Sequence, residues 1–281
     1  MCSAGQGENG VLMATKKSTI ETSHGTLAVR ETDSGGMPVL MIHGNSSSGE
    51  VFRNQFDGQI GRDYHLIAFD LPGHGQSADA LDPDRTYNMP GYADVFTEAM
   101  LKLGHDRAAV FGWSLGGHIG LEMIGLYTGM RGLMITGTPP VSAADLGNGF
   151  LPSPHMGLAG KQDFTEEDVD AYARSTCGEP FDQLLYDAVK RTDGRARAMM
   201  LGKFAEGIGR DQAQIVLGET PPIAVVNGAD EPFVNVAFVD TIPFSNLWEG
   251  KKHVIPNSGH APFWDSPDRF DPILDRFLKS L

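Results

Sequence analysis

The sequence predicts an α/β fold: a mostly parallel central sheet flanked by helices, with a helical cap inserted over the sheet's C-terminal edge. Three observations predict it. Short runs that are apolar at every position recur along the chain, and each closes on a turn signal. Strands buried on both faces have this pattern. Segments with apolar residues at helical spacing lie between the runs, and strand–helix alternation makes a parallel sheet. The alternation then stops between Val141 and about Ile215, where only helical patterns occur.

The elements follow in order. Residues 26–30 have strand character. Residues 38–42 are a continuous apolar run ending in His43-Gly44, and residues 65–69 are another, ending in Asp70 and then Leu71-Pro72-Gly73-His74-Gly75. A helical period over 92–101 is stopped by Gly104. Residues 108–111 run into Gly112, and a second helix is expected over 115–127. Residues 132–135 run into Gly137-Thr138-Pro139-Pro140. In the inserted segment, helical patterns cover 165–174, 181–190 and 195–204. The first opens with Thr165 and, three residues on, Asp168, a capping-box start. Residues 222–226 run into Asn227-Gly228, and 253–255 into Pro256-Asn257. A last helix over 268–281 places Phe270, Ile273, Leu274 and Phe277 on one face. The expected organisation is a disordered leader at 1–19, a core at 20–140 and 216–281, and a cap, or lid, at 141–215. Met13 is an alternative start. An insertion at this point covers the edge where ligands bind in such sheets.

Composition narrows the function. With 281 residues, 41% apolar and 21% charged, the chain has the make-up of an ordinary globular domain. Its net charge of −14 repels phosphate backbones, so nucleic acid is not an expected partner. The two cysteines, Cys2 and Cys177, cannot make a disulfide framework and fit a reducing compartment. No apolar run is long enough for a membrane span, and the first residues lack the apolar centre of a signal peptide. The expected setting is the cytoplasm, with no membrane partner.

The chemistry centres on Gly112-Trp113-Ser114-Leu115-Gly116-Gly117, which follows a strand and precedes a helix. A chain that reverses this sharply leaves the serine strained, with its hydroxyl exposed. Side chains two residues before and after would collide, so glycine is required there. A serine hydroxyl needs a base, and the base an orienting acid, in the chain order Ser…Asp/Glu…His. Asn227-Gly228-Ala229-Asp230-Glu231-Pro232 and Ser258-Gly259-His260-Ala261-Pro262 both follow strand ends. His260 is therefore the expected base, and Asp230 or Glu231 the acid. Charge developing on an attacked carbonyl oxygen needs donors aimed in advance. The backbone N–H of Leu115 is one. That of Asn45, in the loop His43-Gly44-Asn45-Ser46-Ser47-Ser48-Gly49, is the other, and the Asn45 side-chain amide is also within the reach of a substrate oxygen.

These landmarks resemble the α/β-hydrolase superfamily over about residues 20 to 281. His43-Gly44, the Asp70-to-Ser77 turn, the serine elbow, Gly228-x-x-Glu231-Pro232 and Gly259-His260-x-Pro262 carry the resemblance. It implies that Glu231 is the acid, with glutamate where aspartate is usual. Several stretches are more specifically similar to the serine-type N-acyl homoserine lactone lactonases: MIHGNSSSG (41–49), FGWSLGGHIGLEM (111–123), YARSTCGEPF (172–181) and RTDGRARAMM (191–200) among them. The resemblance implies a metal-free, cofactor-free quorum-quenching hydrolase whose partner is a small molecule, an acyl homoserine lactone. Ser114 would attack, Glu231 and His260 would complete the triad, and Asn45 with Leu115 would hold the oxyanion. Asn45, Trp113 and Tyr172 would bind substrate. Met156, Leu158, Phe164 and Phe181 are further cap residues placed to cover an apolar tail or to pack the cap.

Other residues have plainer readings. His43 and His74 are structural histidines in glycine turns. His118 is expected to contact Glu122, four residues on along the same helix. Cys177 is inert. No His-x-x-x-His spacing or similar cluster marks a metal site. Gly73-His74-Gly75 lacks the third glycine of a dinucleotide fingerprint. The competing functions are a carboxylesterase or a carbon–carbon bond hydrolase of the same fold, and a non-catalytic ligand receptor.

Overall fold

The computed structural model describes residues 15–153 and 155–281. Strands β1 (Lys16–Thr22), β2 (Gly25–Glu31), β3 (Pro38–Ile42), β4 (His65–Phe69), β5 (Ala108–Trp113), β6 (Met130–Thr136), β7 (Ile223–Gly228) and β8 (His253–Ile255) form one sheet. The order is β1-β2-β4-β3-β5-β6-β7-β8. β2 pairs antiparallel with both β1 and β4, and the remaining pairs are parallel. The parallel strands all finish at one rim, so the loops that follow them share one end of the molecule.

The apolar runs are buried on both faces, as their lack of alternation predicts, except in the edge strand β8, where Val254 is exposed. Leu40, Ile42, Ile67 and Phe69 face one core, and Val39, Met41, Leu66 and Ala68 face the other. Helices α1 (Arg53–Asp57) and α2 (Gln59–Asp63) join β3 to β4 and cover the second core with Phe56 and Ile60. Helices α3 (Pro83–Thr86) and α4 (Met89–Lys102) join β4 to β5. Helix α4 starts on an Asn88 cap that accepts from the Gly91 N–H at 2.8 Å, and it covers the first core with Tyr92, Val95 and Phe96. Helix α5 (Leu115–Met123) joins β5 to β6, ending four residues before the expected 127.

Between β6 and β7 lie α6 (Leu146–Gly149), α7 (Glu166–Cys177), α8 (Gln183–Arg191), α9 (Gly194–Ala205) and α10 (Gln212–Leu217). The capping box of α7 is formed: Thr165 Oγ1 accepts from the Asp168 N–H, and the Asp168 carboxylate accepts from the Thr165 N–H at 2.7 Å. This segment is latched to the sheet side by polar contacts. The Asp193 N–H donates to the Gly73 carbonyl at 2.8 Å, the Tyr87 hydroxyl to the Asp193 carboxylate at 2.7 Å, and Arg191 to the Ser77 carbonyl at 2.7 Å. Helix α10 straddles residue 215, and its Gln212 packs on α5. After β7 come α11 (Val236–Thr241), then β8, α12 (Pro262–Asp265) and α13 (Pro267–Lys279), whose Phe270, Leu274 and Phe277 close the second core.

One boundary is corrected. The leader expected over 1–19 ends sooner, because β1 begins at Lys16 and pairs with β2 along its length. Residues 1–14 lie outside the described residues, Met13 among them.

Candidate active site

Ser114 sits between the end of β5 and the start of α5 with φ 55° and ψ −119°, a conformation that a side-chain-bearing residue rarely adopts. Its neighbours show why the turn tolerates only glycine at two positions. A Cβ on Gly112 would stand 2.3 Å from the Gly116 carbonyl oxygen, and one on Gly116 would stand 2.0 Å from that of Ile42. The turn is pinned from both sides. The Ser114 N–H donates to the Thr136 carbonyl at 2.8 Å, while the Ser114 carbonyl accepts from Gly117 N–H and from the Thr138 hydroxyl.

His260 follows β8. The Asp265 carboxylate holds its loop, accepting from the Ser258 hydroxyl at 2.6 Å and the Gly259 N–H at 2.8 Å. The His260 carbonyl accepts from the Trp113 indole N–H at 2.9 Å, which ties the base to the residue before the serine. Nδ1 of His260 lies 2.8 Å from each carboxylate oxygen of Glu231. The side chains are 5% and 1% exposed, so water does not compete for the pair. Glu231 is itself oriented: Oε1 accepts from the Phe233 N–H at 2.9 Å and from that of Val234 at 3.2 Å. Asp230, the other acid the sequence left open, is exposed. Because a carboxylate only accepts, Nδ1 carries the proton. Nε2 has no partner among the described residues.

Ser114 and His260 line one cavity of about 190 Å³. Asn45, Trp113, Leu115 and Tyr172 also line it, so the expected site residues that face space do so together. Neither the Asn45 nor the Leu115 backbone N–H finds an acceptor among the described residues. The Asn45 side chain is placed differently from the expectation. Its amide donates to the Ala159 carbonyl at 2.8 Å and to the Tyr172 hydroxyl at 3.3 Å, which fastens the segment above to the loop below. Burial pushes the Tyr172 hydroxyl up to about 12, so it stays protonated. It accepts from Asn45, and its own proton remains available.

The rest of the lining is apolar: Met89, Leu146, Phe150, Met200, Leu201 and Phe204 are part of it. None of these six is a candidate in the sequence, whereas of the four cap residues placed there to cover a tail only Met156 lines the cavity. Leu158 packs against the second core, Phe164 lies under the Arg197 guanidinium, and Phe181 lies under that of Arg174.

The expected His118–Glu122 contact is not made. His118 Nδ1 meets Gln212 Oε1 at 2.6 Å, and Glu122 accepts from the Arg210 N–H at 2.8 Å. Both partners arrive from the segment around α10, which helical spacing could not anticipate. Burial holds His118 down at about 4, so it is neutral where it lines the cavity. His43 is fully buried; its Nδ1 contacts the Gly44 carbonyl and its Nε2 accepts from the Leu71 N–H at 3.0 Å. His74 is likewise buried, with Nδ1 on the Pro72 carbonyl. Both are turn-bracing groups without access to the cavity. Burial also raises the Cys177 thiol to about 12, which removes its thiolate.

Comparison with known proteins adds three findings. The alpha/beta hydrolase family profile matches residues 39–272. A mutant of the N-acyl homoserine lactonase AidH complexed with N-hexanoyl homoserine is 58% identical with a TM-score of 0.94, over 95% of this chain and 97% of that one. AidH complexed with N-butanoyl homoserine is 59% identical with a TM-score of 0.93, over 94% and 96%. A 2-hydroxy-6-oxononadienedioate/2-hydroxy-6-oxononatrienedioate hydrolase of Pseudomonas sp is 25% identical over 91% of this chain and 92% of its own length.

Proposed function

The chain belongs to the alpha/beta hydrolase family, and within it we propose that it hydrolyses N-acyl homoserine lactones through a covalent acyl-enzyme, a quorum-quenching activity. The observation that carries this reading is the identity of 58% with an AidH lactonase across nearly all of both chains. The cavity's division into a polar end at Ser114 and an apolar remainder supports it, because the substrate has a polar ring and an apolar tail.

Ser114 Oγ attacks the lactone carbonyl carbon while His260 Nε2 takes its proton. The imidazolium is stabilised by Glu231 at Nδ1. The carbonyl oxygen gathers negative charge and accepts from the Asn45 and Leu115 N–H groups. The ring C–O bond then breaks, and the departing alkoxide takes the proton from Nε2. An ester to Ser114 remains. The new hydroxyl stays tethered to the acyl group, so reclosure competes until a water, deprotonated by His260, attacks the ester and frees the N-acyl homoserine. Tyr172 donates its available proton to a substrate oxygen, and Trp113 walls the cavity beside His260. The segment 141–215 acts as a cap over the 20–140 and 216–281 core. The enzyme works in the cytoplasm; no described helix is long and apolar enough to cross a membrane.

A panel of acyl homoserine lactones and p-nitrophenyl esters, followed by titration of released acid, tests the substrate. Ring opening with a higher kcat/KM than any simple ester is expected. No turnover of any lactone would end the substrate claim. The Pseudomonas relative favours a second reading, carbon–carbon bond hydrolysis, and a dienoate substrate belongs in the same panel for that reason.

A further inference from the structure

At the rim opposite the cavity, three metal-ligating side chains converge from separate elements. Glu31 ends β2, His65 opens β4, and His105 lies in the turn between α4 and β5. One ligand atom from each lies within 4.8 Å of the other two. His65 Nε2 is 3.3 Å from Glu31 Oε1, and the two imidazole rings stand edge to face with centroids 5.0 Å apart. The Glu31 side chain is 11% exposed, and among the described residues it makes a salt bridge with His65 and none with a lysine or arginine.

We propose that Glu31, His65 and His105 bind a divalent first-row transition-metal ion of the Zn2+ type. Two imidazoles and one carboxylate are a donor set that such ions prefer. Bonds of about 2.0–2.2 Å to a tetrahedral ion set ligand atoms roughly 3.3–3.5 Å apart. The His65–Glu31 pair already has that spacing at 3.3 Å, and the His105 ligand atom, within 4.8 Å of both, must close on the other two. The bound ion ties the edge hairpin β1–β2 to β4 and to the α4–β5 turn. The strand β5 spans about 20 Å between this rim and Ser114 at about 3.3 Å per residue, so the ion stabilises the fold without taking part in turnover.

Zn2+ alone is the probe, titrated into chelator-stripped full-length protein and followed by calorimetry and thermal unfolding. One saturable ion per chain and a rise in Tm are expected. Glu31→Gln and His105→Gln should each weaken binding by at least about tenfold, the scale seen when even a ligand's supporting partner is removed. Turnover at room temperature should be unchanged with and without chelator. The His105 variant is the safer one, since its side chain leaves from a turn. No saturable binding, equal affinity in a His65→Gln/His105→Gln double variant, or binding without a rise in Tm overturns the proposal.

Discussion

Replacing Glu231 with glutamine isolates one atom of the proposed mechanism. Oε1 of Glu231 accepts from two backbone N–H groups, at 2.9 Å and 3.2 Å, as well as from His260. Oε2 accepts from His260 at 2.8 Å alone. A glutamine at this place keeps its oxygen where the two backbone donors are, because its NH2 would repel them. The NH2 is then left at the Oε2 position, facing Nδ1. That NH2 opposes the Nδ1–H, and although Oε1 still lies 2.8 Å from Nδ1, the balance shifts toward the tautomer with its proton on Nε2, which cannot accept one from Ser114, and the charge that stabilises the imidazolium is lost. The same acid-to-amide change in a serine protease triad lowers kcat by about 10⁴, which is about 5 kcal/mol of transition-state stabilisation. We expect Glu231→Gln to lose about 10³–10⁴ in kcat on N-hexanoyl homoserine lactone with little change in KM. Asp230→Asn, at an exposed position, should stay within about twofold of wild type, as surface changes usually do. Initial rates for both variants against wild type decide it. A Glu231→Gln enzyme within tenfold of wild type, or a larger loss in Asp230→Asn, would refute the tautomer argument.

Three further outcomes follow from the geometry. Gly116→Ala puts a Cβ 2.0 Å from the Ile42 carbonyl, a backbone atom that cannot yield; it should cost at least about 1–3 kcal/mol by denaturant unfolding and lower kcat more than it lowers stability. Asp271 is held up at about 6 by burial, although Gln55 donates to it at 2.8 Å. Its folded value lies above its unfolded one, so the stability it contributes is present at low pH and lost as pH rises from about 4 through 6. Asp271→Asn should therefore stabilise by about 1–3 kcal/mol near pH 8, with a smaller gain near pH 5; a variant less stable than wild type at the higher pH contradicts this. The cavity of about 190 Å³ is small for its apolar end. Four- to six-carbon acyl chains should be turned over with kcat/KM about tenfold or more above twelve-carbon chains, a difference of about 1.4 kcal/mol for displacing the segment above; an equal or reversed preference would show that the cavity does not limit the chain.

Which features were legible in the sequence follows from how local their causes are. The inner parallel strands β3, β4 and β5 announce themselves because burial on both faces leaves them almost wholly apolar. The serine turn is legible because its spacing records two steric exclusions, one within the turn, where a Cβ on Gly112 would meet the Gly116 carbonyl, and one against β3, where a Cβ on Gly116 would meet the Ile42 carbonyl. The first four residues of β1 fall in the expected leader because β1 is an edge strand whose side chains are mostly exposed, so Lys16-Lys17-Ser18-Thr19 has no apolar period to detect. The choice between Asp230 and Glu231 could not come from spacing, since the two are adjacent; the turn that buries one and exposes the other decides which meets His260. The partners of His118 and Glu122 come from residues 210–212, about ninety positions away, whereas helical spacing reports only neighbours. The cavity's apolar lining was missed for a related reason. Met200 and Phe204 have the four-residue spacing of a helix face, but only the folded segment fixes which side of α9 looks at Ser114.

The central claim is that Ser114 is the nucleophile of a lactone-opening reaction. Its most direct test is kcat of Ser114→Ala on N-hexanoyl homoserine lactone, with folding verified by unfolding in denaturant. The account predicts a loss of about 10⁴–10⁶, the range for removing a serine hydrolase nucleophile. Turnover within tenfold of wild type would contradict it.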